Sequence, residues 1–203
     1  MAVLNVISVS RHRLTTDGNG VTTLVALAGC PLKCEYCINK DILSAHKSVP
    51  CPPEKLLEKA MIDYCYFAST GGGITFGGGE PLLHSEALLE FMAIKPDDVS
   101  VVLETSLNHD AETVAKVLDG ANELIIDIKS MNPAIYRKYT GLDNTNTLHW
   151  LKYIIDNGLQ NKCTIKVPNI PKYTQKEDIE ASVETLKDMG FTKINVFDYL
   201  VKE

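Results

Sequence analysis

What this chain of 203 residues lacks narrows its class before any motif is read. No stretch approaches the roughly 18 consecutive apolar residues that a membrane-spanning helix needs, so no membrane partner is expected. No basic stripe exists either. The 20 Lys and Arg are outnumbered by 26 Asp and Glu, and a net charge of −6 argues against a nucleic-acid partner. The opening Met1-Ala2-Val3-Leu4-Asn5-Val6-Ile7 has no basic residues ahead of its apolar ones and does not read as a secretory signal. Neither the G-x-G-x-x-G fingerprint nor a G-x-x-x-x-G-K-[ST] phosphate loop occurs. Low-complexity tracts and linkers are missing too. Cysteine is sparse, with six residues, and 45% of the chain is hydrophobic, which excludes a small disulfide-stapled scaffold. A reducing, cytoplasmic location is the expectation, and there cysteines remain thiols.

What is present is an alternation. Apolar, β-rich runs at 21–29, 73–76, 99–105, 124–129, 163–167 and 193–199 read as strands. Between them, 53–68, 85–93, 111–118, 144–157 and 174–189 carry helical periodicity, and 133–139 reads as a short helical turn. Such alternation predicts parallel strands joined by right-handed crossovers in one domain over residues 1–203. Six strands are too few for a closed eight-stranded barrel. An open partial (β/α)6 TIM-like barrel suits the count, with a doubly wound sheet as the alternative.

Three of the cysteines stand together. Cys30, Cys34 and Cys37 follow the first apolar strand in Ala28-Gly29-Cys30-Pro31-Leu32-Lys33-Cys34-Glu35-Tyr36-Cys37. Three thiolates on one loop can hold three irons of a [4Fe–4S] cluster, leaving a fourth iron open to another molecule. The competing reading is a closed zinc site that recruits Cys51 as a fourth sulfur. Cys65 and Cys163 read as core residues.

The second constellation is Gly71-Gly72-Gly73-Ile74-Thr75-Phe76-Gly77-Gly78-Gly79-Glu80-Pro81, a strand bracketed by glycine triplets. Glycines at a strand's C-terminal end let backbone approach a ligand closely. Alone, they would equally suit a mobile loop.

Taken together, these motifs resemble the radical S-adenosylmethionine (SAM) superfamily. Cys30-x3-Cys34-x2-Cys37 matches its cluster motif, with Tyr36 in the aromatic position, and Gly78-Gly79-Glu80 matches its segment for the SAM amino group. The resemblance implies that Cys30, Cys34 and Cys37 bind the cluster and that SAM chelates the open iron. It further implies reductive cleavage of SAM to a 5′-deoxyadenosyl radical that abstracts a hydrogen atom. Within the superfamily, the chain resembles the activating enzymes of glycyl radical enzymes. The likeness runs through Thr16-Asp17-Gly18-Asn19-Gly20-Val21, Tyr36-Cys37-Ile38-Asn39, Glu104-Thr105-Ser106, Leu124-Ile125-Ile126-Asp127-Ile128-Lys129 and Val167-Pro168-Asn169-Ile170-Pro171.

That resemblance implies SAM contacts from Tyr36, Gly77, Gly78, Gly79, Glu80, Asp127, Lys129 and Lys166. It implies a monovalent cation near Glu104, Thr105 and Asp127, and places Asp17 beside the substrate glycine, with Asp17 and Lys129 as catalytic residues. A glycyl radical enzyme as partner and a flavodoxin or ferredoxin as electron donor follow from it. Pleat geometry independently puts Asp127 and Lys129 on one strand face and Ile126 and Ile128 on the other. An internal Lys–Asp pair with purely structural work would satisfy the same pattern. The chain departs from these activating enzymes in two ways. Lys166 stands where they usually carry arginine, and a Pro-Tyr-His segment is replaced by Val196-Phe197-Asp198-Tyr199-Leu200. A lysine keeps the charge but loses the bidentate fork. The shorter end is expected to leave the open side less covered, for a bulky partner to close. Two other readings remain at this level: a small radical SAM enzyme acting on a metabolite or peptide, and a non-enzymatic zinc or iron–sulfur binding module.

Overall fold

The computed structural model describes residues 2–14 and 16–199; Met1 and Leu200, which fall in runs named above, lie outside the described residues. Eight strands occur among the described residues: β1 (Leu4–Leu14), β2 (Val21–Leu27), β3 (Val49–Cys51), β4 (Gly73–Gly78), β5 (Ser100–Thr105), β6 (Glu123–Asp127), β7 (Cys163–Asn169) and β8 (Ile194–Asp198). They form one mixed sheet in the order β3-β1-β2-β4-β5-β6-β7-β8, open at both ends of that order. All six strands expected from periodicity are there. β1 and β3 are additional.

By contacts, the chain gathers into two compact units that interleave along the sequence. The first comprises Met1–Cys30, Asn39–Thr105 and Ala111–Ile125, the second Pro31–Ile38, Ser106–Asp110 and Ile126–Glu203. The boundary falls inside β6.

In the first unit, β1 runs antiparallel to both β2 and β3, with Val9 opposite Val25 and Leu4 opposite Cys51. β2, β4 and β5 are parallel, and Phe76 sits opposite Val25 on one side and Leu103 on the other. Ile74, Phe76, Val101 and Leu103 are wholly buried, as central parallel strands require. Helices α1 (Pro53–Ala60), α2 (Tyr64–Thr70), α3 (Ser85–Ile94) and α4 (Thr113–Gly120) belong to this unit. Phe91 of α3 meets Phe76 edge-on at 5.1 Å, an arrangement that suits the ring quadrupoles.

The single helix expected over 53–68 is broken between α1 and α2 by a 3-10 turn, Met61–Asp63. The cause is Asp63, whose backbone leaves the helical region (φ −94°, ψ 6°) and whose carboxylate is fully buried. Arg11 Nε reaches its two oxygens at 2.8 and 2.9 Å, Thr23 Oγ1 donates at 2.8 Å, and His12 Nε2 lies 3.1 Å away. A buried charge is tolerated only with such partners, so this acid ties β1 and β2 to the helical layer.

The second unit holds α5 (Pro133–Thr140), α6 (Thr145–Asp156), α7 (Lys176–Asp188) and the parallel pair β7 and β8, with Val167 opposite Val196. The expected short turn at 133–139 is a full helix. Asn132 caps it by accepting from Ala134 N at 3.0 Å, Pro133 opens it, and Gly141 ends it at φ +83°. A reciprocal capping box between Gln175 and Asp178 starts α7. Trp150 of α6 donates its indole N–H to the His109 carbonyl at 2.6 Å.

Candidate active site

The first unit presents the glycine run. At the end of β4, the Gly79 amide donates to the Leu27 carbonyl at 3.0 Å, and the Glu80 amide donates to the Gly29 carbonyl at 2.8 Å. These bonds stitch the run to the segment that leads into Cys30. Gly78 adopts φ +86°, and a Cβ on Gly79 would collide with the Gly29 carbonyl oxygen. Asn39 Nδ2 donates to the Gly78 carbonyl at 2.9 Å. The run is therefore a fixed cradle and not the mobile loop that its composition alone allowed.

Glu80 is buried at 1% exposure. Its Oε1 accepts from Thr105 Oγ1 at 2.5 Å and from the Leu82 amide at 3.2 Å, which caps the 3-10 turn Pro81–His84. Glu104 flanks Gly77, where a Cβ would lie 3.1 Å from Glu104 Oε2. Asp17 is also buried; Arg13 Nε donates to its carboxylate at 2.5 Å, and Thr75 Oγ1 donates to its carbonyl. The bond to Asp17 is the main reason the Arg13 pKa is raised, with Glu104 adding to it. His84 does not cap α3 with its side chain; its ring Nε2 lies 2.9 Å from the Ala28 carbonyl.

In the second unit lie Cys34, Tyr36 and Cys37. The Cys37 amide donates to the Cys34 carbonyl at 3.3 Å, closing a turn. None of Cys30, Cys34 and Cys37 is joined in a disulfide. Burial pushes the Cys34 thiol up to about 11, against the pull of Lys129. Lys129 forms an ion pair with Asp127 and lies 5.5 Å from the centre of the Tyr199 ring. Burial would lower the Lys129 pKa, but Asp127 and Tyr199 outweigh it and the net shift is upward. The other oxygen of Asp127, Oδ1, is shielded from water and accepts no hydrogen bond from the described residues. Asp127 ends β6, and Lys129 lies two residues past it in a bend, where it is buried along with both neighbours, so the expected pleat alternation does not extend to it. On β7, Thr164 and Lys166 alternate with buried Cys163, Ile165 and Val167.

Sequence reading missed an aromatic group around Tyr36. Tyr139, Tyr173 and Tyr199 have ring centres 6.1, 6.1 and 6.4 Å from it. They come from α5, the segment after β7 and the segment after β8, so no local period could reveal their convergence.

In the first unit, a backbone cradle with no room for a Cβ beside the buried Glu80 carboxylate suits a ligand carrying an amino group, and in the second the Cys34 and Cys37 thiols suit an iron–sulfur group. A mononuclear zinc site suits less well. Four thiolates on one zinc at about 2.3 Å would have to crowd within about 4 Å of each other. Cys51, the fourth sulfur of that reading, is buried at the end of β3 in register with Leu4.

These features define an α/β protein with a thiol loop and a glycine-lined strand end. The sequence signature of the Radical SAM superfamily matches residues 24–186, and the chain belongs to that superfamily, whose members use a [4Fe–4S] cluster and SAM. It is a radical SAM enzyme similar to activating enzymes. Pyruvate formate-lyase 1-activating enzyme of Escherichia coli K12 is 27% identical over 190 residues, covering 91% of this chain and 76% of that protein. The (2S)-3-sulfopropanediol dehydratase activating enzyme of Klebsiella oxytoca is 27% identical over 217 residues, covering 76% of this chain and 68% of that protein. Among solved structures, Streptococcus suis SuiB bound to S-adenosylmethionine superposes with a TM-score of 0.61 at 13% identity. That match covers 88% of this chain but spans only 38% of SuiB, and it speaks to the fold alone.

Proposed function

We propose that this chain activates a glycyl radical enzyme by removing a hydrogen atom from one glycine of that larger protein. The observation that carries this reading is the alignment with activating enzymes named for two different targets, a lyase and a dehydratase, each at 27% identity. Cys30, Cys34 and Cys37 are the residues that would hold the cluster, and Gly77, Gly78, Gly79 and Glu80 with Tyr36 would take SAM. When bound, the cluster supplies the electron that splits SAM into methionine and a 5′-deoxyadenosyl radical. Glu80 offers the SAM ammonium a buried carboxylate whose position is fixed by Thr105 and the Leu82 amide. Lys129, whose pKa Asp127 and Tyr199 raise, offers its charge to a carboxylate, while Asp127 Oδ1 offers an acceptor that needs a donor. Lys166 adds a second cation on β7, and Glu104, Thr105 and Asp127 are the oxygens proposed for a monovalent cation. Arg13 holds the Asp17 carboxylate in place, ready to orient the glycine-bearing loop. A reduced flavodoxin or ferredoxin in the cytoplasm would supply the electron.

Anaerobic reconstitution tests the proposal. About four irons per chain and 5′-deoxyadenosine formed from SAM with reductant are expected. Deuterium placed on the Cα of the partner's glycine should then appear in 5′-deoxyadenosine. Its absence with every candidate glycine, while SAM is still cleaved, would move the reading to a small radical SAM enzyme acting on a metabolite or peptide.

A further inference from the structure

The second unit carries exposed lysines around the cysteine loop that the proposed reaction does not use. Lys138 on α5 has its Nζ 5.5 Å from the centre of the Tyr173 ring. Lys172 directly precedes Tyr173 and holds a left-handed φ of +68°. Lys33 lies inside the cysteine loop, and its amide donates to the Thr140 carbonyl at 2.8 Å, tying it to the end of α5. All three are exposed, and among the described residues none of them forms an ion pair. Of the nearby acids, Asp143 pairs with Arg137 at 3.3 Å, while Glu35 accepts from the Tyr173 hydroxyl and keeps its negative charge. Three lysines against the Glu35 carboxylate leave net positive charge here, in a chain of net charge −6.

The rings lead inward from it. Tyr173 meets Tyr36 edge-on at 6.1 Å and Tyr139 at 5.0 Å, and Tyr36 stands between Cys34 and Cys37 in the chain. We propose that Lys33, Lys138 and Lys172 form the docking surface for an acidic, low-potential one-electron carrier protein, with the Tyr173–Tyr36 contact as the path inward. The proposal rests on the radical SAM reading, which requires an electron from outside. One electron leaves the carrier's reduced cofactor, which is oxidised by that electron. It arrives at the group held by the cysteines, and no bond or proton is exchanged. Opposite charges on two mobile surfaces speed encounter and lose their effect as salt screens them. Edge-to-face rings shorten the through-space distance the electron must cross.

The test uses reconstituted holoenzyme and reduced flavodoxin as the probe. K138E/K172E is compared with K152E/K187E, which makes the same charge change on α6 and α7. At low salt, flavodoxin affinity and the rate of holoenzyme reduction should fall about tenfold or more for K138E/K172E, and less than about threefold for the control. The difference should shrink as salt rises to about 0.5 M. With dithionite as reductant, K138E/K172E should form 5′-deoxyadenosine at the wild-type rate. Y173L should bind flavodoxin normally yet be reduced several-fold more slowly. Equal losses in both charge variants, unchanged flavodoxin affinity, or weakened binding of the glycyl radical partner alone would overturn the surface. An unchanged reduction rate in Y173L would overturn the path. Failure of the wild-type protein to cleave SAM with dithionite would instead overturn the activity itself.

Discussion

Asp63 takes no part in the proposed chemistry, yet it makes the sharpest single-residue statement about stability. The bonds from Arg11, joined by those from Thr23 and His12, hold its carboxyl down to about 2 despite burial. Because the folded carboxyl titrates below the unfolded one, its contribution is complete above about pH 4 and fades as pH falls from about 4 to about 2. It is worth on the order of 2 kcal/mol. Urea denaturation of the cluster-free protein should therefore show a gap between wild type and Asp63→Asn that is constant from pH 5 to 7 and closes below about pH 4. Lys129 is the corresponding test in the second unit. Lys129→Met leaves Asp127 without its cation and should cost on the order of 3 kcal/mol in denaturation. It should also weaken SAM binding at least about tenfold by equilibrium titration, with Lys129→Arg recovering part of the stability and less of the binding.

At the scale of elements, the glycine run behaves as a joint between two strand ends. Gly79→Ala forces a methyl group against the Gly29 carbonyl, backbone against backbone, with no flexible side chain to yield. A loss of about 3 kcal/mol is expected by thermal or urea unfolding. Gly71→Ala, with nothing within 4 Å of its Cβ, should cost only its positive-φ strain, about 1 kcal/mol. The glycine and cysteine motifs were legible because their spacing is local, and the parallel strands because burial on both faces makes them continuously apolar. β1 was not. Apart from Leu4 its residues are half-buried or exposed, so it shows no two-residue period. The break between α1 and α2 was hidden because it depends on Arg11, some fifty residues away, and the tyrosines around Tyr36 meet only through the tertiary fold. α5 was underestimated, although Asn132, Pro133 and Gly141 are its start and stop signals.

For the molecule as a whole, the six cysteines divide by reactivity. Cys65, expected in the core, is instead exposed on α2, whereas Cys51 and Cys163 are buried, and burial pushes Cys163 up to about 12. At pH 8 Cys163 is therefore overwhelmingly the unreactive thiol. Brief alkylation of the reconstituted enzyme, read by mass spectrometry, should mark Cys65 first and leave Cys51 and Cys163 until the chain unfolds. On the proposed reading, Cys30, Cys34 and Cys37 should become reactive only when iron is stripped with a chelator. The Gly79–Gly29 contact has a corollary for genetics. On the proposed reading, a screen for alleles that lose the metal would return codons at these two positions alongside those for the three sulfurs, because a displaced carbonyl one residue before Cys30 would misaim a ligand that is itself intact.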